Sequence, residues 1–381
     1  MMKIALDATY AGQSSSQKGG IYQYIFHLVQ ALSEVDKENK YLLFFSFFRN
    51  KHRQTTDEFY SLFKKAGYGR KDCRIPSLIW KRLQFPIELF TGKIDLFHGL
   101  FDYVPRMLSG KSIVTIHDLA YLRRPEFLGS KRVKWKYKET PLAVRRADAI
   151  ITVSNFSKND LIKLLGIPEE KIWVTPHGVS PDFTPIQDKE ILERIKIKYR
   201  IKENYILFVG VLQPNKNIVK LLEAFSLLKN SCKLEHQLVI AGEKGWLYED
   251  IFKKYNELKL GDTVIFTGYV PDGDLPALYS GADLFILPSQ LEGFGIPVLE
   301  AMACGTPVVT SNTCALPETA GDAAILVKPD SVHEIAGGIY QVLSDNNLQA
   351  SLRQKGFAHA KKFTWENTAK MTLEVYRKGI L

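Results

Sequence analysis

Cysteine is scarce in this sequence, which has four among 381 residues (Cys73, Cys232, Cys304 and Cys314). None forms a Cys-x-x-Cys pair, and no cysteine–histidine cluster has the spacing of a zinc site. A chain of this length buries large cores without covalent staples. We therefore expect free thiols, which favour the cytosol and exclude the disulfide-rich secreted classes.

Long hydrophobic runs are also missing, because no window approaches the about 18 apolar residues of a transmembrane helix. The longest candidate, residues 41–48, is bounded by Lys40 and Arg49 and predicts a buried strand. The apolar start at residues 4–6 meets Asp7 at once, so no secretory signal is evident. We expect a soluble cytoplasmic protein, peripheral at most on the inner face of the cell membrane.

A third absence is the Gly-x-Gly-x-x-Gly fingerprint, which argues against a dinucleotide-binding oxidoreductase. Asp272-Gly273-Asp274 imitates a metal-binding Asp-x-Asp motif. It lies just before a helix predicted to begin near Leu275, where Asp274 fits as the N-cap. We therefore do not expect this motif to bind a metal.

The chain alternates strand-like and helix-like segments in both halves, which predicts an α/β protein with parallel sheets. Strands are predicted at residues 3–8, 41–48, 95–98, 112–117, 149–153, 171–175, 205–209, 237–241, 263–266, 284–287, 307–309 and 324–327. Helices are predicted at residues 21–33, 131–146, 157–165, 218–228, 275–279 and 296–303, with further helices from residue 331 onward.

A proline-rich stretch at residues 176–185 divides the two alternations and predicts a linker. We expect a Rossmann-like doubly wound domain at residues 1–185 and a second at 186–362, facing a central cleft. The last helix, 363–381, is expected to pack back on the N-terminal domain. Ligands of such sheets bind beyond the carboxyl ends of the strands, so the predicted site lies in the cleft.

The sharpest motif is Glu292-Gly-Phe-Gly-Ile-Pro-Val-Leu-Glu300, which follows a predicted strand and opens a helix. Pro297 suits the first helical turn, and free N–H groups there can take hydroxyl or phosphate oxygens. Two carboxylates at this spacing can grip two parts of one hydroxylated ligand. Alternatively, Glu300 only complements the helix dipole and Glu292 is a solvated loop residue.

Other candidates stand at predicted strand ends. Lys216 follows Gly210 and precedes a helix, which suits a phosphate, although an isolated lysine is commonly a solvated charge. Gly19-Gly20 precede the first long helix and either admit a phosphate or serve turn geometry alone. His117-Asp118 end another strand, where a histidine is either functional or a structural hydrogen-bonding group.

These motifs, in this order, resemble the retaining family 4 glycosyltransferases of the GT-B fold over nearly the whole chain. The resemblance is carried by GGIYQY, HDLAYLRRPEF, RRADAIITVSNFSKNDL, FVGVLQPNKN, VIAGEKGW, FTGYVPDGDLPALYSGADLFILPS, LEGFGIPVLEAMACGTPVV and FTWENTAKMTLEVY. It implies metal-independent transfer of a hexose from a nucleotide-sugar donor, which acts as co-substrate, with no bound metal and no resident cofactor.

The resemblance also implies residue roles. Glu300 would hold the ribose, Glu292 would contact the donor sugar, and Lys216 would neutralise the diphosphate. Glu292, His117 and Lys216 form the expected catalytic set, and His98 and Asp118 are expected on the acceptor side. The remaining donor-binding residues implied are Gly19, Gly20, Gly210, Lys244, Tyr269, Val270, Gly293, Phe294, Gly295 and Ile296.

One turn departs from the family pattern. Many relatives carry an arginine beside the lysine, in a Glu-Pro-Arg-Lys-like turn, whereas this chain has Gln213-Pro214-Asn215-Lys216. The diphosphate clamp is then either weaker or completed by Lys244, which could equally be an exposed turn lysine.

The segments HDLAYLRRPEF and LQPNKN look most like bacterial mannosyltransferases of surface polysaccharide and lipopolysaccharide assembly, which use GDP-mannose and a saccharide or lipid-linked acceptor. UDP-glucose and UDP-N-acetylglucosamine enzymes share the same glutamate pair and remain alternatives. A sugar-nucleotide epimerase or a phosphorylase of the same fold is a further alternative. A basic nucleic-acid-binding protein is the alternative of another class, but no recognition motif supports it.

The net charge of +10 is uneven. Residues 1–185 hold 29 basic and 18 acidic residues, whereas residues 186–381 hold 22 and 23. Two basic clusters stand out: one contains Lys51, Lys64, Lys65, Arg70, Lys71, Lys81 and Arg82, and the other runs from Arg123 to Arg146 and includes Lys131, Arg132, Lys134, Lys136 and Lys138 beside Trp135 and Tyr137. Such clusters either form a solvated basic face or dock on an anionic membrane, and we predict docking.

Overall fold

A computed structural model describes residues 1–13, 19–47, 52–75, 79, 83, 85–127, 130–202 and 204–379, with the backbone alone at residues 13 and 130–135. Three residues of the first predicted basic cluster, Lys51, Lys81 and Arg82, lie outside these residues, as do residues 14–18 just before the Gly19-Gly20 pair. The side chains of Lys131, Arg132, Lys134 and Trp135 lie outside them as well.

The described residues form two compact units. The first consists of Met1–Arg123, Ser130–Gly178 and Trp365–Leu381, and the second of Arg124–Gly129 and Val179–Thr364. The chain therefore leaves the first unit near Gly178 and returns to it for the last helix, which begins at Trp365.

The first unit contains a seven-stranded parallel sheet in the order β3-β2-β1-β4-β5-β6-β7. Its strands are β1 (Lys3–Asp7), β2 (Lys40–Ser46), β3 (Gly69–Cys73), β4 (Leu96–Gly99), β5 (Lys111–Ile116), β6 (Ala149–Thr152) and β7 (Ile172–Val174). Its helices are Thr9–Gln13, Gly20–Val35, Arg53–Lys64, Glu88–Thr91, Ala120–Arg123, Ser130–Arg146, Asn155–Leu165 and Trp365–Lys378.

The second unit contains a six-stranded parallel sheet in the order β10-β9-β8-β11-β12-β13. Its strands are β8 (Tyr205–Val209), β9 (Gln237–Ala241), β10 (Val264–Gly268), β11 (Leu284–Leu287), β12 (Val308–Ser311) and β13 (Ala324–Val327). Its helices are Lys189–Tyr199, Ile218–Cys232, Glu249–Glu257, Leu275–Ser280, Ile296–Ala303, Leu316–Ala320, Val332–Ser344 and Asn346–Ala360.

Both faces of the first sheet are buried because successive side chains of a strand point to opposite faces. Ile4 and Leu6 join the larger apolar core, whereas Ala5 between them joins a smaller core on the other face. The last helix contributes to the larger core through Trp365, Ala369, Leu373, Val375 and Tyr376. Helices on both sides of a parallel sheet are what continuous apolar strands require.

The structure also bears on the expectations about cysteine and the membrane. All four cysteines are free, as predicted. Among the helices of the described residues, none combines the length and the apolar character needed to cross a bilayer.

Candidate active site

The loop after β11 presents the predicted glutamate motif at the carboxyl end of the second sheet. It runs into helix Ile296–Ala303, where proline stands in the first turn as expected. Gly295 precedes the helix with a φ of 102°, and a Cβ there would lie 2.6 Å from Leu316 Cδ2. Glycine is required by both backbone and space, and it brings no side chain to cap the helix, which leaves its N-terminus for a ligand.

Lys216 and Glu292 meet in the structure although 75 residues separate them in the sequence. Lys216 ends a single helical turn after β8, and its Nζ lies 2.6 Å from Glu292 Oε1. Each side chain is only 13% exposed, so the pair is held at the rim of the sheet rather than in open solvent. Gly210 lies beside the lysine, and a Cβ there would make an ordinary van der Waals contact 3.5 Å from Lys216 Cε.

Two asparagines fasten the Lys216 turn to the loop that carries Glu292. Asn215 Nδ2 donates to the carbonyl of Leu291, and the carbonyl of Asn215 accepts from the backbone N–H of Gln290. Asn217 Nδ2 donates to the carbonyls of Pro288 and Pro329. Asn215, which replaces the arginine of the family pattern, therefore holds the loop in place instead of adding a charge.

Glu300 lies one turn into helix Ile296–Ala303 and is half-buried. The hydroxyl of Tyr279 donates to its Oε2 at 2.8 Å. Burial raises the pKa of Glu300 to about 7, with a smaller contribution from the charge of Asp272, while the Tyr279 hydrogen bond opposes the rise. The group therefore titrates near neutral pH and can accept hydroxyl hydrogen bonds in its ionised form.

The other side chains predicted to bind the donor differ in exposure: Tyr269 and Lys244 are exposed, whereas Val270 and Phe294 are buried. Tyr269, just beyond β10, keeps 40% of its surface exposed, whereas Val270 is buried. Phe294 is buried too, and its carbonyl accepts from Thr319 Oγ1, which shapes the loop. Lys244 is exposed, and its ammonium lies 4.6 Å from the ring centre of Phe252. No contact described for Lys244 joins it to Lys216.

In the first unit, His117 and Asp118 follow β5 at the carboxyl end of that sheet. His117 Nε2 lies 3.3 Å from the carbonyl oxygen of Leu100, and burial lowers the pKa of its imidazole to about 4. The ring is therefore neutral at physiological pH. Asp118 accepts a hydrogen bond from the backbone N–H of Ala120 and so starts the short helix Ala120–Arg123.

His98 does not occupy the surface position expected of an acceptor contact. It is fully buried, with Nδ1 2.7 Å from the hydroxyl of Tyr376 and Nε2 2.8 Å from Thr115 Oγ1. Both ring nitrogens are thus engaged inside the core. The sequence could not separate this strand-end histidine from His117, because both follow an apolar strand.

Gly19 and Gly20 begin helix Gly20–Val35, and neither has a positive φ. A Cβ at either position would meet no atom of the described residues within 4 Å. Neither the backbone nor packing among those residues therefore requires glycine here. The close approach of a ligand to this helix start stays a prediction.

Known glycosyltransferase families match both halves of the chain. Residues 18–183 match the family described as Glycosyltransferase Family 4, and residues 191–359 match Glycosyl transferases group 1. The chain is 36% identical over 283 residues to the O-antigen chain mannosyltransferase B of Escherichia coli, covering 74% of each protein. The chain belongs to glycosyltransferase family 4.

Two further similarities agree with this assignment. The O-antigen chain mannosyltransferase RfbU of Salmonella typhimurium is 32% identical over 285 residues, which covers 70% of this chain and 74% of that protein. Among solved structures, HepE of Anabaena in complex with UDP-glucose aligns with a TM-score of 0.74 at 18% identity, covering 99% of this chain and 100% of that one. The family 4 chain thus has the α/β GT-B fold that its sequence predicts.

Two expectations for this family 4 glycosyltransferase need correction. Asp274 stands at the N-cap position but makes no capping bond. Its Oδ2 accepts instead from Lys198 Nζ and the Tyr199 hydroxyl, each at 2.5 Å. Lys136, assigned to a basic surface cluster, is largely enclosed, and its ammonium lies 2.9 Å from the buried Asp102 Oδ2.

The Asp102–Lys136 pair was not predicted as part of any site. Asp102 has a φ of 46°, a left-handed conformation that aspartate tolerates better than most residues. The Lys136 ammonium also lies 5.3 Å from the ring centre of Phe101. The pair links the loop after β4 to helix Ser130–Arg146, directly beside the loop that carries His117.

Proposed function

We propose that this glycosyltransferase moves mannose from GDP-mannose to a saccharide or lipid-linked saccharide acceptor in cell-surface polysaccharide synthesis, with retention of anomeric configuration. The names of its two O-antigen relatives support the sugar and the pathway. The chemistry rests on one observation, the Lys216–Glu292 pair beside the uncapped N-terminus of helix Ile296–Ala303.

The pair gives a physical account of donor binding. In the structure, the Glu292 carboxylate neutralises the Lys216 ammonium. An arriving diphosphate offers Lys216 more negative charge and competes for it, which releases Glu292 to accept hydroxyl hydrogen bonds from the donor sugar. Lys216 and the helix N-terminus then stabilise the charge that develops on the leaving diphosphate.

The acceptor hydroxyl is proposed to attack the anomeric carbon on the face from which the nucleoside diphosphate departs. The carbon–oxygen bond to the diphosphate breaks, the bond to the acceptor oxygen forms, and the acceptor proton passes to the leaving phosphate oxygen. The neutral His117 is proposed to bind a hydroxyl of the donor sugar. Catalysis then depends on positioning and electrostatic stabilisation, with no covalent intermediate and no metal.

The donor is tested by calorimetry with GDP, UDP and ADP, followed by product analysis with GDP-mannose. We expect GDP to bind most tightly and mannose to be transferred only when acceptor is present. Preferred binding of UDP would replace GDP-mannose with a UDP-sugar, since the glutamate pair serves either donor. Free sugar released at the same rate without acceptor would contradict a transferase and support an epimerase or a hydrolytic side reaction. Full turnover in EDTA is expected.

The membrane proposal now rests on the first basic cluster. Lys64, Lys65 and Lys71 are exposed, and Leu62 on the same helix as Lys64 is 57% exposed. A basic face with an exposed apolar side chain suits an anionic lipid surface, which supports the proposal that the enzyme docks on the cytoplasmic leaflet. Co-sedimentation should favour anionic over neutral vesicles at low salt, and equal binding to both would contradict it. A salt-dependent gel shift with nucleic acid should be negative.

A further inference from the structure

Behind His117, the first unit contains a chain of buried polar side chains that the proposed mechanism leaves unused. The Tyr24 hydroxyl lies 2.9 Å from Thr115 Oγ1, Thr115 Oγ1 lies 2.8 Å from His98 Nε2, and His98 Nδ1 lies 2.7 Å from the Tyr376 hydroxyl. All four side chains are fully buried. The chain runs from helix Gly20–Val35 through β5 and β4 to the last helix.

Buried polar groups are costly unless they bond one another, and a fully bonded network fixes the orientation of its members. Here the network fixes Tyr24. The hydrogen bond between its hydroxyl and Thr115 Oγ1 fixes the direction of the tyrosine side chain. Trp365 backs the ring from the last helix, with ring centres 6.3 Å apart.

The Tyr24 ring is the surface on which His117 rests. Their ring centres are 4.7 Å apart with planes at 84°, the edge-to-face geometry that aromatic rings favour. His177 lies parallel to His117 at 5.4 Å and also meets the Tyr24 ring at 5.0 Å. The imidazole of His117 is therefore held between a fixed ring and a second imidazole.

We propose that Tyr24 is a positioning residue for His117, whose imidazole it orients through a ring fixed by the Thr115–His98–Tyr376 chain. The inference rests on the proposed function only in giving His117 a role at the donor sugar. Helix Gly20–Val35 would then have two roles, donor binding at Gly20 and positioning of His117 by Tyr24, which lies one turn further along the helix. The last helix takes part through Tyr376 and Trp365.

The charged and titratable neighbours of His117 come from every element packed around it. They are His98 on β4, Asp118 next in the chain, Lys136 with its partner Asp102, and His177. Burial dominates and keeps the imidazole neutral. A substitution that exposes the imidazole to water should therefore raise the pKa of His117 toward its ordinary value.

The test compares Tyr24→Leu, which removes the ring, with Tyr24→Phe and Thr115→Val, which keep the ring and remove the hydroxyl bond. Tyr68→Phe is the matched control, since Tyr68 is a buried tyrosine of the same core whose hydroxyl donates to the carbonyl of Val29. We expect Tyr24→Leu to lower kcat about 10- to 100-fold with donor KM nearly unchanged. Tyr24→Phe and Thr115→Val should lower kcat about threefold to tenfold, and the control should leave it unchanged.

Imidazole NMR provides a readout that does not depend on turnover. The pKa of His117 should rise in Tyr24→Leu and stay low in Tyr68→Phe, and the acid limb of the kcat/KM profile should move with it. Unchanged kcat and unchanged His117 pKa in Tyr24→Leu would overturn the proposal, as would an equal loss of kcat in Tyr68→Phe. A wild-type enzyme that transfers no sugar would refute the proposed function alone, because the NMR comparison still decides the positioning.

Discussion

The second unit brings charged side chains together near its surface, whereas the first unit encloses a neutral imidazole among rings and buried hydrogen bonds. Lys216 and Glu292 neutralise each other, and in the proposed mechanism Lys216 exchanges Glu292 for the diphosphate. His117 has no such freedom, because its neighbours hold it from several sides. Under the proposed function, the charged pair of the second unit binds the diphosphate, and the enclosed imidazole of the first unit contacts a sugar hydroxyl.

Removing either side chain of the Lys216–Glu292 pair should have the largest effect on activity and tests the difference between the two units most directly. Lys216→Ala and Glu292→Ala should each lower kcat about 100- to 1,000-fold, the usual cost of losing a group that stabilises transition-state charge. Folding should persist, because both side chains lie at the rim of the sheet. Steady-state kinetics and thermal unfolding check this. Lys244→Ala tests whether this lysine completes the clamp; because its ammonium lies over Phe252, we expect kcat to change less than about threefold. Near-normal turnover in both alanine variants would refute the site.

The buried pair of the first unit should behave differently, affecting stability first. Lys136→Met leaves the Asp102 carboxylate buried and unpaired, which should cost about 3–5 kcal/mol of unfolding free energy. Adding Asp102→Asn should recover most of that loss, because asparagine is neutral and also tolerates a positive φ. Denaturant unfolding of the single and double variants measures the difference. Equal stability of the single variant and wild type would show that the pair contributes nothing.

Glu300 should make donor binding depend on pH. Its pKa near 7 means that the ionised form grows as pH rises from 6 to 8. If ribose hydroxyls donate to the ionised carboxylate as predicted, GDP affinity should increase by up to about tenfold over this range and binding should release a proton. Calorimetry in buffers of different ionisation enthalpy detects the proton. Glu300→Gln should remove the dependence, and a GDP affinity that falls with rising pH would contradict the assignment.

The smallest predicted effect concerns the glycine pair of the first unit. Gly20→Ala should raise the unfolding free energy by about 0.5–1 kcal/mol, because alanine favours the helix and a Cβ has room there. The same change should raise donor KM a few-fold if a ligand approaches this backbone closely. Opposite signs for stability and affinity would support a binding role. An unchanged donor KM would contradict a binding role for Gly20.

Much of the fold follows from strand composition. The apolar runs at residues 205–209, 237–241, 284–287 and 324–327 predict the observed strands residue for residue. Strand β3 was missed because its sequence, Gly-Arg-Lys-Asp-Cys, is mostly charged. It lies at the edge of the sheet that the described residues form, pairs with β2, and places Arg70 in ion pairs with Asp57 and Asp72. Such a strand depends on contacts that periodicity does not report.

The sequence also predicts some residues of the candidate site and not others. Glu292, Gly295 and Glu300 lie within one contiguous motif, so the sequence alone indicates them. Tyr279 and Asn215, in contrast, act on residues 21 and 76 positions away. The sequence offers no signal for such partners, because a tyrosine on an apolar helix or an asparagine in a turn has many ordinary explanations.

The last helix has a consequence for how the polypeptide is made. Trp365, Leu373 and Tyr376 complete the larger core of the unit to which the first residues of the chain belong. During synthesis from the N-terminus, residues 179–364 emerge and can fold before that core is complete. The unit that leaves the ribosome first is therefore the one that finishes folding last. A nascent chain stalled before residue 365 should hold a folded second unit and a protease-sensitive first unit.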